Sequence, residues 1–185
     1  PNVGKSTLLN RLLGEERAIV SPIAGTTRDA TDTKLLHEDQ EFTLIDTAGI
    51  RRRGKIDPGV EKYSVLRAIK ALRRADVALL LIDAEEGITA QDAHIAGMLI
   101  DENASVIVLV NKWDAIEKDT YTINEYTDHV RQVLNFMPYV PLLFISAQSG
   151  QRVGKILPEV MTVYEARYQR IPTARGSSLL VATQG

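Results

Sequence analysis

A chain of 185 residues, 44% hydrophobic and 25% charged, is sized for one packed domain and excludes a disordered or fibrous polymer. Its formal net charge of −2 gives no overall pull toward nucleic acid or a membrane surface, so any such affinity must come from a local patch. The lack of cysteine excludes disulfides, thiolate metal centres and cysteine nucleophiles, and fits the cytoplasmic location we expect. No apolar run approaches the roughly 18 residues of a membrane helix, so no membrane contact is expected. The first residue is Pro1 and not Met, so a preceding segment is expected to be missing.

The elements begin at once. Gly4-Lys5-Ser6 opens a helix whose apolar positions are Leu8, Leu9, Leu12 and Leu13. This is the end of a GxxxxGK[ST] phosphate loop whose opening glycine would precede Pro1. Backbone amides from Val3 and Gly4 through Thr7 would cradle phosphate oxygens at the helix N-terminus. Lys5 would neutralise the β- and γ-phosphates, and Ser6 would supply an oxygen to Mg²⁺. Ser21 to Asp29 reads as a loop. Lys34 to Leu36 and Glu41 to Ile45 flank the polar turn His37-Glu38-Asp39-Gln40 as an antiparallel hairpin.

At the end of that hairpin stands Asp46-Thr47-Ala48-Gly49. Asp46 is placed to hold a magnesium-bound water, and Gly49 to offer its amide to the γ-phosphate, where glycine permits close approach. Arg51 to Gly59 reads as a second loop, and Arg51-Arg52-Arg53, taken alone, as a solvated charge run. Lys70, Arg73 and Arg74 fall near a helix end and are expected to serve its dipole.

The second half alternates strand and helix, which means a parallel sheet. Val77 to Ile82, Val106 to Val110 and Val140 to Ile145 are apolar runs suited to strands covered on both faces. Between them, Thr89 heads a helix with Asp92 as its capping partner, and Thr122 opens another. Asn111-Lys112-Trp113-Asp114 follows the second run. The Asp114 carboxylate can accept hydrogen bonds from the N1 and N2 donors of guanine, a pair that adenine lacks. Asn111 would reach the other edge of the base or tie loops together, and the Lys112 stem could cover the ring. Ser146-Ala147, after the third run, would place a backbone amide at the guanine O6. A last helix covers Val153 to Arg167, Ala174 to Ser178 reads as a linker, and Leu179 to Thr183 reads as a strand belonging to something else.

His37, His94 and His129 show no ligand spacing, and Tyr63, Tyr164 and Tyr168 read as packing residues. The order is decisive: GKS, a threonine loop, DTAG, NKxD and SA all fall at strand ends, where open α/β sheets bind ligands.

In these motifs the chain resembles the translation-factor-like P-loop GTPases. With Ala24 to Asp29, AGIRRRGK (Ala48 to Lys55) and VEKYSV (Val60 to Val65), it is similar to the second G domain of the EngA (Der) family of bacterial ribosome-assembly GTPases. The resemblance implies a Ras-like three-layer α/β domain over residues 1–172, with a six-stranded mixed sheet lacking its first strand. Residues 173–185 would be a linker-like tail outside it. That strand would lie mid-sheet, so this chain is expected to be unstable and to bind nucleotide poorly.

The implied ligands are GTP/GDP and Mg²⁺. Thr27 would bind the metal in the GTP state, with Thr26 as the alternative. Asn2 would help bind an activating K⁺, its shell completed by carbonyls between Ser21 and Ile23. Lys5, Thr27 and Gly49 are the candidate catalytic groups. Ile50 stands where many Ras-like proteins carry a water-orienting glutamine, so a low intrinsic rate is expected. Implied partners are the large ribosomal subunit and its rRNA, a first G domain and a KH-like domain. Two alternatives stand beside this reading: a nucleotide-gated RNA-binding module with little turnover, and a related tRNA-modification GTPase.

Overall fold

The computed structural model describes residues 4–15, 17–19, 32–45, 69–169 and 177–182. In chain order these give α1 (Lys5–Glu15), β1 (Arg17–Ile19), β2 (Thr33–His37), β3 (Gln40–Ile45), a helical stretch α2 over 69–74 and β4 (Val77–Asp83). Then follow α3 (Ala90–Asp101), β5 (Ser105–Asn111), α4 (Thr122–Val133), β6 (Leu142–Phe144), α5 (Ile156–Tyr168) and β7 (Ser177–Ala182). They build one sheet in the order β1-β2-β3-β7-β4-β5-β6. The first three strands are antiparallel, and β3, β7, β4, β5 and β6 run parallel. Among the described residues, no helix is long and apolar enough to cross a membrane.

The apolar runs explain the layering. Alternate residues of a strand face opposite sides. In β4, Val77, Leu79 and Leu81 join one core with Leu8, Leu9 and Leu12 of α1 and Ile156, Leu157 and Val160 of α5. Ala78, Leu80 and Ile82 join the other, with Leu72 of α2, Ala96 and Leu99 of α3 and Val130 of α4. Every residue of β4 is buried, as a central parallel strand requires. The three-layer reading holds.

Local signals set several boundaries. The hairpin closes at His37 opposite Gln40, and Glu38 and Asp39 both take positive φ (47° and 64°), as a two-residue primed turn demands. Thr89 and Asp92 form a full capping box: the Asp92 amide donates to Thr89 Oγ1 at 3.2 Å, and the Thr89 amide to Asp92 Oδ2 at 2.8 Å. Asp119 accepts from the Tyr121 and Thr122 amides (2.8 and 3.0 Å), so α4 starts at Thr122.

Three expectations are amended. The third apolar run shortens to Leu142–Phe144: the Val140 amide turns back to Met137 O (3.3 Å), and Pro141 has no N–H to offer. Arg73 and Arg74, in the last turn of α2, also pair with carboxylates, Arg73 Nε with Glu102 Oε2 at 3.1 Å and Arg74 with Asp32. Finally, the strand expected in the tail belongs to this sheet and not to another unit. Its residues 177–182 lie between β3 and β4, with Leu179 opposite both Leu44 and Val77. Two facing parallel edges in mid-sheet leave unpaired amides and carbonyls that an apolar segment of matching direction satisfies. The sheet therefore has seven strands among the described residues, with its centre filled.

Candidate functional site

The C-terminal ends of β4, β5 and β6 meet the start of α1 in a cleft of ≈ 290 Å³. Gly4, Thr7, Asn111, Lys112, Asp114, Ser146 and Ala147 all line it. Sequence reasoning assigned each of these to one ligand, and the fold brings them to one place. Lys5 and Ser6 occupy the first turn of α1, where the helix dipole favours an anion. Asn2, Val3, Thr27, Asp46 and Gly49, with Thr26, Ile50 and Arg51 to Arg53, lie outside the described residues.

Asn111 is the hub. It is buried at the end of β5, and its Oδ1 accepts the Ala147 amide at 3.0 Å. Its Nδ2 lies against Gly4, where φ is +92° and any β-carbon would overlap it. Glycine is therefore needed at this position for both backbone conformation and space, the space being taken by the Asn111 amide. Of the two roles expected for Asn111, the structure displays the loop tie. Of the Ser146-Ala147 pair expected to place a backbone amide at the guanine O6, the Ala147 amide is donated to that side chain here.

Lys112 takes a left-handed backbone (φ 61°) and sends its ammonium to Asp83 Oδ2 at 2.6 Å. Asp83 ends β4 beside Asn111 and also accepts the Glu85 amide at 2.9 Å. Burial works to raise the Asp83 carboxyl, but the Lys112 hydrogen bond and the Glu85 amide outweigh it and hold it below the ordinary carboxylate range. This partner was missed in the sequence. Its signal was a lone acid closing the apolar run Val77 to Ile82.

Asp114 is exposed on the cleft wall, on a single helical turn over Trp113–Ala115. Trp113 anchors that turn. It is buried, 4.5 Å from the Phe144 ring and 5.3 Å from Tyr126, and its amide donates to Ile145 O at 3.1 Å. The turn after β6 closes on itself, with the Gly150 amide on Ser146 O (2.9 Å) and the Ser149 amide on Ser146 Oγ (3.2 Å). Arg11 of α1 reaches the same turn, donating from Nε to Ala147 O at 3.0 Å and from its terminal nitrogen to Gln148 O. Nothing in the sequence marked Arg11. The expected packing role of the tyrosines fits Tyr164 and Tyr168, whose rings lie 4.8 Å apart, with the Tyr168 hydroxyl on Asp76 Oδ1 at 2.9 Å.

An anion-binding helix start, a carboxylate on the opposite wall and amide-bearing turns at adjacent parallel strand ends define a P-loop domain of the GTPase kind. Comparison with known proteins carries this further. The chain belongs to the family of 50S ribosome-binding GTPases, whose profile matches residues 1–112. It is 56% identical over 180 residues to GTPase Der of Chloroflexus aggregans, covering 97% of this chain and 40% of that protein. It is 58% identical over 175 residues to GTPase Der of Synechococcus sp. (strain JA-3-3Ab), covering 94% and 38%. The chain thus spans about 40% of the length of the curated relatives it matches. Among solved structures, Era in complex with MgGDPNP and nucleotides 1506–1542 of 16S ribosomal RNA superposes with a TM-score of 0.67 at 31% identity, covering 95% of this chain and 55% of that one.

Proposed function

We propose that this chain binds guanine nucleotide with Mg²⁺ and hydrolyses GTP as a slow molecular switch, within a protein that acts in assembly of the large ribosomal subunit. One observation carries the reading: Gly4 at the start of α1, Asn111 at the end of β5, Asp114 just after it, and Ala147 after β6 share a single cleft. Phosphate would sit over the amides of Gly4 through Thr7, with Lys5 on its charge and Ser6 on the metal. Asp114 would take the two guanine donors. Thr27, Asp46 and Gly49 would complete the metal and γ-phosphate contacts, and their ordering by GTP would make the switch.

With Ile50 unable to orient water, the rate would rest on charge stabilisation and backbone donors. Asn2 and an activating K⁺ belong to the same proposal. Phosphate release from GTP, measured in KCl and in NaCl, tests the whole. Turnover that is lost in Lys5→Ala and faster in KCl supports it, and equal rates in both salts remove the K⁺ site. Hydrolysis of ATP in preference to GTP would defeat the reading.

A second reading, a nucleotide-gated RNA-binding module, draws on the likeness to Era, solved with ribosomal RNA, and on the family's 50S description. Salt-dependent rRNA binding that is lost when Arg51, Arg52 and Arg53 are replaced would favour it. The identity to GTPase Der favours the ribosomal readings over a tRNA-modification GTPase.

A further inference from the structure

We infer that Arg11 is a positioning residue for base selection: it grips the Ala147–Gln148 turn and couples the phosphate-binding helix to guanine recognition. The inference rests on the nucleotide site described above. Arg11 lies six residues after Lys5 on α1, about 9 Å along the axis at 1.5 Å per residue. It is far from any phosphate on the first turn. Its guanidinium instead spans more than 130 positions of sequence, with Nε on Ala147 O at 3.0 Å and a terminal nitrogen on Gln148 O.

Two successive carbonyls held by one planar fork leave the turn little freedom to rotate. The described peptide bonds are all trans, so the Gln148 N–H points opposite to the Ala147 carbonyl, away from Arg11. The Ala147 amide is tied to Asn111 Oδ1 at 3.0 Å. The turn is therefore held by Arg11 through two carbonyls and by Asn111 through one amide. The Gln148 N–H, which Asn111 does not take, meets a purine 6-oxo group with its direction already set, and a preorganised donor costs less to use. A lysine supplies one charge and no fork, so it replaces the arginine only in part.

The test is calorimetric binding of GDP and of 2-aminopurine riboside diphosphate, which lacks the 6-oxo group, to the wild type, Arg11→Ala and Arg11→Lys. GDP affinity is expected to fall about tenfold in the alanine variant, the loss of roughly one well-placed hydrogen bond, while the 2-aminopurine nucleotide is unchanged. The lysine variant should recover part of the loss, with thermal midpoints close to wild type. Equal weakening of both nucleotides would show a general structural role and overturn the inference, as would an alanine variant with full GDP preference. A wild type that does not prefer GDP would overturn the site reading itself, and the inference with it.

Discussion

Gly4 and Asn111 stand in direct apposition: a β-carbon on Gly4 would overlap Asn111 Nδ2 and lie 3.5 Å from its Cγ. The amide group cannot swing away cheaply, because its Oδ1 is held by the Ala147 amide at 3.0 Å. One contact therefore joins the start of α1 to the ends of β5 and β6.

Gly4→Ala should fail on two counts, the overlap and the φ of +92°. We expect a loss of about 2 kcal/mol or more in stability, together with GDP affinity. Urea unfolding and GDP calorimetry on the variant check this. A variant with the wild-type midpoint and affinity would contradict it.

Asp83 should act through Lys112. Its lowered pKa means that the ion pair stabilises the fold above the ordinary carboxylate value of about 4, and that this contribution is lost as pH falls through the lowered value. Asp83→Asn should cost about 1 kcal/mol at neutral pH, a modest figure because Lys112 is one-third exposed. Its acid-unfolding curve should be flatter than wild type. Parallel curves would contradict the assignment.

Much of the layering was legible. The run Val77 to Ile82 implied a strand covered on both faces, the hairpin was marked by its polar turn, and Thr89 with Asp92 announced a cap. These are local signals, each written within a few residues. What escaped is what tertiary contact decides: Arg11 on Ala147, Asp83 on Lys112, and β7 between β3 and β4. Leu179 to Thr183 was legible as a strand, but its place in this sheet is decided by two edges far away in sequence. Legibility at the site followed the same rule. Gly4, Asn111, Asp114 and Ala147 were read from motif spacing, but the direction of the Ala147 amide depends on a side chain 36 positions away.

The central place of β7 makes the tail structural. Removing residues 177–185 would open the β3 and β4 edges that it pairs. Thermal unfolding by circular dichroism should lose its cooperative transition or shift down by 10 °C or more, on the order of several kcal/mol for a domain of this size. An unchanged midpoint would show that the strand is dispensable.

Tyr126 is pushed up to about 12, first by burial and then by the Asp83 and Asp92 charges. Its hydroxyl donates to Ala84 O at 3.2 Å. Because the folded value is raised, the stability it contributes is complete below the ordinary phenol pKa of about 10 and is lost as pH rises through the raised value. Ultraviolet titration should find a phenol still protonated when ordinary ones have ionised, and Tyr126→Phe should remove it at a cost of about 1 kcal/mol. A titration with every phenol near the ordinary value would refute this.

The most direct measurement is binding of GDP, XDP and ADP by the wild type and by Asp114→Asn. A carboxylate accepts from both guanine donors, whereas an asparagine amide offers a donor that suits the 2-oxo group of xanthine. The wild type should bind GDP and ignore ADP, and the variant should lose on the order of 100-fold for GDP while gaining XDP. Equal affinity of the wild type for GDP and ADP, or a variant with its GDP preference intact, would contradict the account.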